Sequence, residues 1–197
     1  MKIGCRATYQ RINISTYQLI SNQTIKQSLN MKRILLVLVA MVMAQCAMAQ
    51  ELQFSLPIMP EKMWPSDYAN YEADVLNCCN YLLSVDPAFN QPKHEECTSF
   101  LVRWLTGTPE VSVLIDPKLV DPKNGDLLVA YMAAWTRHAL TNKDDGNLIN
   151  AQVATEEMLA FYSNYKESVG KSKLAEKLLK QQAKGTLATY VTKTLVK

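Results

Sequence analysis

The residues best equipped for chemistry in this sequence are Cys78, Cys79 and Cys97. A cysteine can pair in a disulfide, ligate a metal or, as a thiolate, attack an electrophile. In an oxidising compartment the simplest outcome for three of them is one disulfide and one remaining thiol. The surrounding sequence reads as two helices joined by a short loop. If they form an antiparallel hairpin, depth from the loop decides which sulfurs meet, because each helical residue advances about 1.5 Å. Cys79 lies five residues before the expected helix end at Ser84, and Cys97 five residues after the expected start at Pro92. Matching depth favours Cys79 with Cys97. Cys78 is one residue deeper and points about 100° away around the helix, and it remains the alternative partner. Closing such a loop stabilises the fold by on the order of 3 kcal/mol in the chain-entropy model.

Other chemistry finds less support. His94 would complete a set with the three thiols suited to zinc. Structural zinc sites, however, separate paired cysteines by roughly two to four residues, and adjacent cysteines do not readily share one tetrahedral ion. No metal and no cofactor is expected. A cysteine nucleophile needs a positioned base. His94 sits beside Glu95 and Glu96 on what reads as a solvated helix start, and His138 lies near a helix C-terminus, where the dipole favours a cation. Asp144, Asp145 and Gly146 suggest a calcium loop, but aligning Gly146 with its invariant glycine leaves Thr141, Lys143 and Gln152 where acidic ligands belong. Glu95 and Glu96, like Glu156 and Glu157, are adjacent and diverge on a helix, so neither pair suits glycoside cleavage. Phosphate-binding loops, hydrolase elbows, zinc-protease helices and dinucleotide fingerprints are missing.

With no catalytic residue expected, binding comes to the front. Trp64, Tyr68 and Tyr71 cluster where a proline-rich stretch meets the first helix. Such side chains anchor protein interfaces or stack on sugars, and they also dock an arm onto its own helices. Trp104 and Trp135 fall at core positions.

The compartment follows from the leader. Met31-Lys-Arg precedes an apolar run from Ile34 to Met43, and Ala47-Met48-Ala49 supplies small residues for signal peptidase, so residues 31–49 read as a secretory signal and Gln50 as the first mature residue. The apolar run is shorter than the roughly 20 residues a membrane-spanning helix needs, so no stable anchor is expected after cleavage. Lipidation at Cys46 is disfavoured by Gln45. Residues 1–30 hold no acidic residue and read as an upstream extension, with Met31 the initiator.

Removing the leader removes Cys5, Cys46 and six of the 21 basic residues (Lys2, Arg6, Arg11, Lys26, Lys32, Arg33) but none of the 18 acidic ones. The nominal charge of +3 becomes −3, fifteen basic against eighteen acidic residues. That excludes the electrostatic argument for nucleic acid or an anionic membrane. Lys171, Lys173, Lys177, Lys180 and Lys184 read as the solvated side of one helix.

The elements that must position these residues are helical. Pro57, Pro60 and Pro65 make residues 50–65 an extended arm. From Ser66, an expected N-cap, Tyr68, Tyr71, Val75, Cys79, Leu82 and Leu83 repeat at helical spacing. A second helix from Pro92 buries Cys97, Phe100, Leu101, Trp104 and Leu105, with Gly107 as its left-handed stop. Val111 to Ile115 reads as an extended connector. Further helices are expected over 124–140 and 147–165, the latter burying Ile149, Val153, Met158 and Phe161. Shorter ones are expected over 173–183 and 187–195. Residues 66–197 should thus form an all-α bundle of five or six helices.

The leader, together with the run from Phe100 to Val113 (FLVRWLTGTPEVSV), resembles small uncharacterised exported proteins of Bacteroides-type bacteria. The resemblance implies a periplasmic or secreted location and a helical fold, and assigns no site residue. The function expected is protein binding, of the kind seen in inhibitor and immunity proteins. The alternative is a carbohydrate or small-ligand binder built on Trp64, Tyr68 and Tyr71.

Overall fold

A computed structural model describes residues 54–196. The leader, its cleavage position and the start of the arm lie outside the described residues. The fold is all-α, and among the described residues there is no strand. Among the described residues the helices are α1 (Glu72–Ser84), α2 (Gln91–Gly107), α3 (Gly125–Thr141), α4 (Asn147–Asn164), α5 (Lys166–Val169), α6 (Lys173–Ala183) and α7 (Leu187–Leu195). A 3-10 segment, Pro65–Tyr71, leads into α1. These seven exceed the expected five or six because Lys166–Val169 forms its own turn after the α4 break at Tyr165.

Local chemistry explains the starts. Asn90 accepts from the Lys93 amide at 3.3 Å, Asn124 from Leu127 at 3.1 Å and Ser172 from Ala175 at 3.2 Å, each satisfying a donor the first helical turn leaves orphaned. The expected N-cap at Ser66 is corrected. Pro65 already occupies the first position of the 3-10 turn, and the Asp67 carboxylate takes the Trp64 N–H at 2.8 Å. Gly107 is also corrected: it is the last residue of α2, and only Gly170 and Gly185 have positive φ among the described residues. The Tyr68 ring occupies the place of a Cβ there, so Gly107 serves close approach rather than a left-handed stop.

Helix α1 packs on both α2 and α3, and α3 packs along α4. Trp104, Trp135, Tyr131, Phe161 and Tyr162 fill the interior, each fully buried. At roughly 1.5–3 kcal/mol per large side chain removed from water, this core supplies the main drive to fold. Ala130, Ala133 and Ala134 of α3 and Ala151 and Ala154 of α4 are buried small residues on two helices that pack along each other. The rotation of α4 differs from expectation. Ile149 is 42% exposed and Val153 only half-buried, while Asn150 turns inward. The reason is a polar partner across the interface, since Asn150 Oδ1 lies 2.7 Å from His138 Nδ1.

Residues 111–115 are extended without strand pairing, as the sequence predicts, and Tyr131 donates its hydroxyl to the Leu114 carbonyl at 3.1 Å. No helix of the described residues is long and apolar enough to cross a membrane.

Candidate functional site

The α1–α2 hairpin holds the three cysteines, all of them buried as thiols. Being adjacent on a helix, Cys78 and Cys79 point in different directions, and each meets a different neighbour. Cys78 and Cys97 face each other across the α1–α2 contact, each sulfur acting on the other. That interaction, with burial, drives the Cys78 thiol far above the ordinary range and holds Cys97 below it. Cys79 faces α3. Burial pushes its thiol up to about 12, with the Arg137 charge acting in the opposite sense. Depth matching favours Cys79 for Cys97 with Cys78 as the alternative, and it is Cys78 that acts most strongly on Cys97 here.

One turn nearer the loop, Lys93 closes the hairpin over these sulfurs. Its ammonium donates to the Phe54 carbonyl at 2.6 Å and to Glu96 at 2.9 Å, and lies 4.2 Å from the centre of the Phe54 ring. Phe54 also meets Tyr81 edge-on, with ring centres 6.3 Å apart. The segment before the 3-10 turn is therefore tied to both helices of the hairpin.

His94 corrects the expectation of a solvated helix start. It is only 9% exposed, and burial lowers its pKa below the ordinary histidine value, against the pull of Asp126 and Glu95. The signal was present in the spacing: His94, Cys97, Leu101 and Trp104 fall on one stripe of α2. His138 lies at the end of α3, with Asn150 on Nδ1 and Asp145 at 3.5 Å from Nε2. Among the described residues, no group of three or more histidine, cysteine or acidic side chains is arranged to hold a metal ion.

The aromatic trio divides. Tyr68 and Tyr71 are half-buried: the Tyr68 carbonyl accepts from Trp104 Nε1 at 2.9 Å, and Tyr71 meets Phe100 edge-on with centres 6.2 Å apart. Trp64 is 79% exposed. On the neighbouring stretch Ile58 is 93% exposed, and it borders a groove of about 270 Å³ between residues 56–59 and α2, walled by Phe100, Glu96, Ser99 and Arg103. Arg103 holds the segment in place by donating to the Pro60 carbonyl at 2.6 Å. Lys171, Lys173, Lys177, Lys180 and Lys184 are all exposed along and beside α6. No protein-family model, curated protein or solved structure matches the chain.

Proposed function

We propose that this chain is an exported, non-enzymatic protein that acts by binding another protein through the face where residues 56–64 cross α2. The observation that carries the reading is the exposure of Trp64 and Ile58 on a segment otherwise pinned by Arg103 and Lys93. A large apolar side chain held out on a fixed backbone loses little entropy when a partner covers it, which is what interface anchors require. Glu96, Ser99 and Arg103 supply a polar rim around the groove. An inhibitor or immunity-like role fits such a surface by analogy of size and fold. The carbohydrate alternative has less support, because Tyr68 and Tyr71 are already engaged with α2.

The test is a native pull-down from periplasmic extract with the chain from Gln50 onward, comparing wild type with Ile58→Asp combined with Trp64→Ala. A stoichiometric protein retained by the wild type and lost with the variant, at unchanged helical circular dichroism, is the expected outcome. Equal retention by both, or glycan binding that needs Trp64, would overturn the assignment. Export is checked separately by mass spectrometry of the native protein, which should give an N-terminus near Gln50 and no peptide from residues 1–30.

A further inference from the structure

We propose that Cys78 and Cys97 are joined by a disulfide in the mature protein, with Cys79 retained as a buried thiol facing α3. The pairing follows from the register of the hairpin. Cross-helix contacts run from Tyr68 on Trp104, through Tyr71 on Phe100, to Cys78 on Cys97, and then to Tyr81 and Lys93 gathered around Phe54. Cys78 belongs to that ladder. Cys79 does not: it points about 100° away around α1, where the Arg137 charge acts on it more strongly than Cys97 does. Bringing Cys79 to Cys97 would require α1 to turn by about 100°, carrying the fully buried Val75 and Leu82 away from their neighbours.

The chemistry is thiol–disulfide exchange with a disulfide-bearing oxidant, a protein or a small molecule, of the kind an export compartment supplies. The oxidant depends on the export reading above; the choice of partner cysteine does not. Cys97 loses its proton first, favoured by the charge of Lys93 one turn before it on the same helix. It attacks one sulfur of the oxidant, forming a mixed disulfide and releasing one thiolate. Cys78, giving up its proton, then attacks the Cys97 sulfur and displaces the second thiolate. Two electrons pass to the oxidant, and the two cysteine protons are taken up by the released thiolates. Cys78 and Cys97 are both completely buried, so exchange takes place while the hairpin is open, and closure selects the pair.

The test refolds the chain from Gln50 onward, which contains the whole described core, from denaturant in a mixture of oxidised and reduced glutathione. Cys78→Ser, Cys79→Ser and Cys97→Ser are refolded alongside it. Disulfide-linked peptides are then mapped without reduction. Wild type and Cys79→Ser should carry the Cys78–Cys97 link, and Cys78→Ser should carry none once folded. Adding reductant should raise the unfolding constant of wild type and Cys79→Ser by roughly 100-fold and leave that of Cys78→Ser unchanged. If serine unfolds the hairpin, the alanine variants serve the same comparison. A Cys79–Cys97 link in the wild type, a Cys78–Cys79 link, or three thiols open to alkylation after denaturation would each refute the pairing. Because glutathione is supplied, none of these results depends on whether the chain is exported or what it binds.

Discussion

Replacing Gly107 with alanine tests the packing of the 3-10 turn against α2. Alanine in place of a helical glycine with negative φ normally stabilises by up to about 1 kcal/mol, and nothing in the Gly107 backbone opposes it. The obstacle is Tyr68. An added Cβ would overlap the hydroxyl oxygen and Cζ of its ring and lie 2.7 Å from Cε1. The ring must leave a half-buried site, and overpacking of this kind costs about 1–3 kcal/mol. Moving it also disturbs the Tyr68 carbonyl that receives Trp104 Nε1 at 2.9 Å, a bond worth about 0.5–1.5 kcal/mol. Net destabilisation of about 1–3 kcal/mol is therefore expected for Gly107→Ala. In a Tyr68→Ala background the obstacle is gone, and the same substitution should stabilise by up to about 1 kcal/mol. Guanidinium unfolding of the four species, followed by tryptophan fluorescence, gives the coupling directly. If Gly107→Ala is as stable as wild type while Tyr68 is intact, the close approach is not what keeps glycine there.

Further predictions concern the buried polar groups. His94 is held neutral by burial below its ordinary value of 6.5. The unfolded chain therefore takes up a proton as pH falls through 6.5 while the folded chain does so only at lower pH, and stability drops across that interval. His94→Gln should flatten the loss of urea midpoint between about pH 7.5 and about pH 5, and an unaltered slope would place the effect elsewhere. Ser172→Ala removes the cap on the Ala175 amide, itself buried, and should cost about 1–2 kcal/mol in thermal or denaturant unfolding. Arg137 and Glu157 are 2.5 Å apart with side chains about a third exposed. Solvent screening limits their double-mutant coupling to about 1 kcal/mol or less, and a larger value would mark the pair as structurally central.

The helical class was legible because apolar residues recur at helical spacing from Val75 to Val191, with proline, glycine and asparagine at the breaks. Rotation about each helix axis was less so. Depth from the loop pointed to Cys97, but α1 contacts both α2 and α3, so its buried surface is not one stripe with one partner, and depth alone could not separate Cys78 from Cys79. Ile149, expected inside, lies at the surface for a similar reason, since the residue that turns Asn150 inward is His138 on another helix. His94 could have been placed by its spacing to Cys97 and Leu101; the adjoining glutamates drew the reading toward solvent. For the aromatic trio, spacing could group the residues without revealing that two pack against α2 while Trp64 projects.

The position of α1 between two partners also orders events in time. A chain emerging N-terminus first completes the hairpin of residues 72–107 before residue 137 is available. During that interval Cys78 can already find Cys97, while the side of α1 that carries Cys79, about 100° around the helix, has no α3 to cover it. Arrival of α3 closes this interval and seals the thiol behind Arg137. The adjacent cysteines are thus separated by when each is buried as well as by direction, and anything that delays α3 should raise the yield of wrongly linked chains.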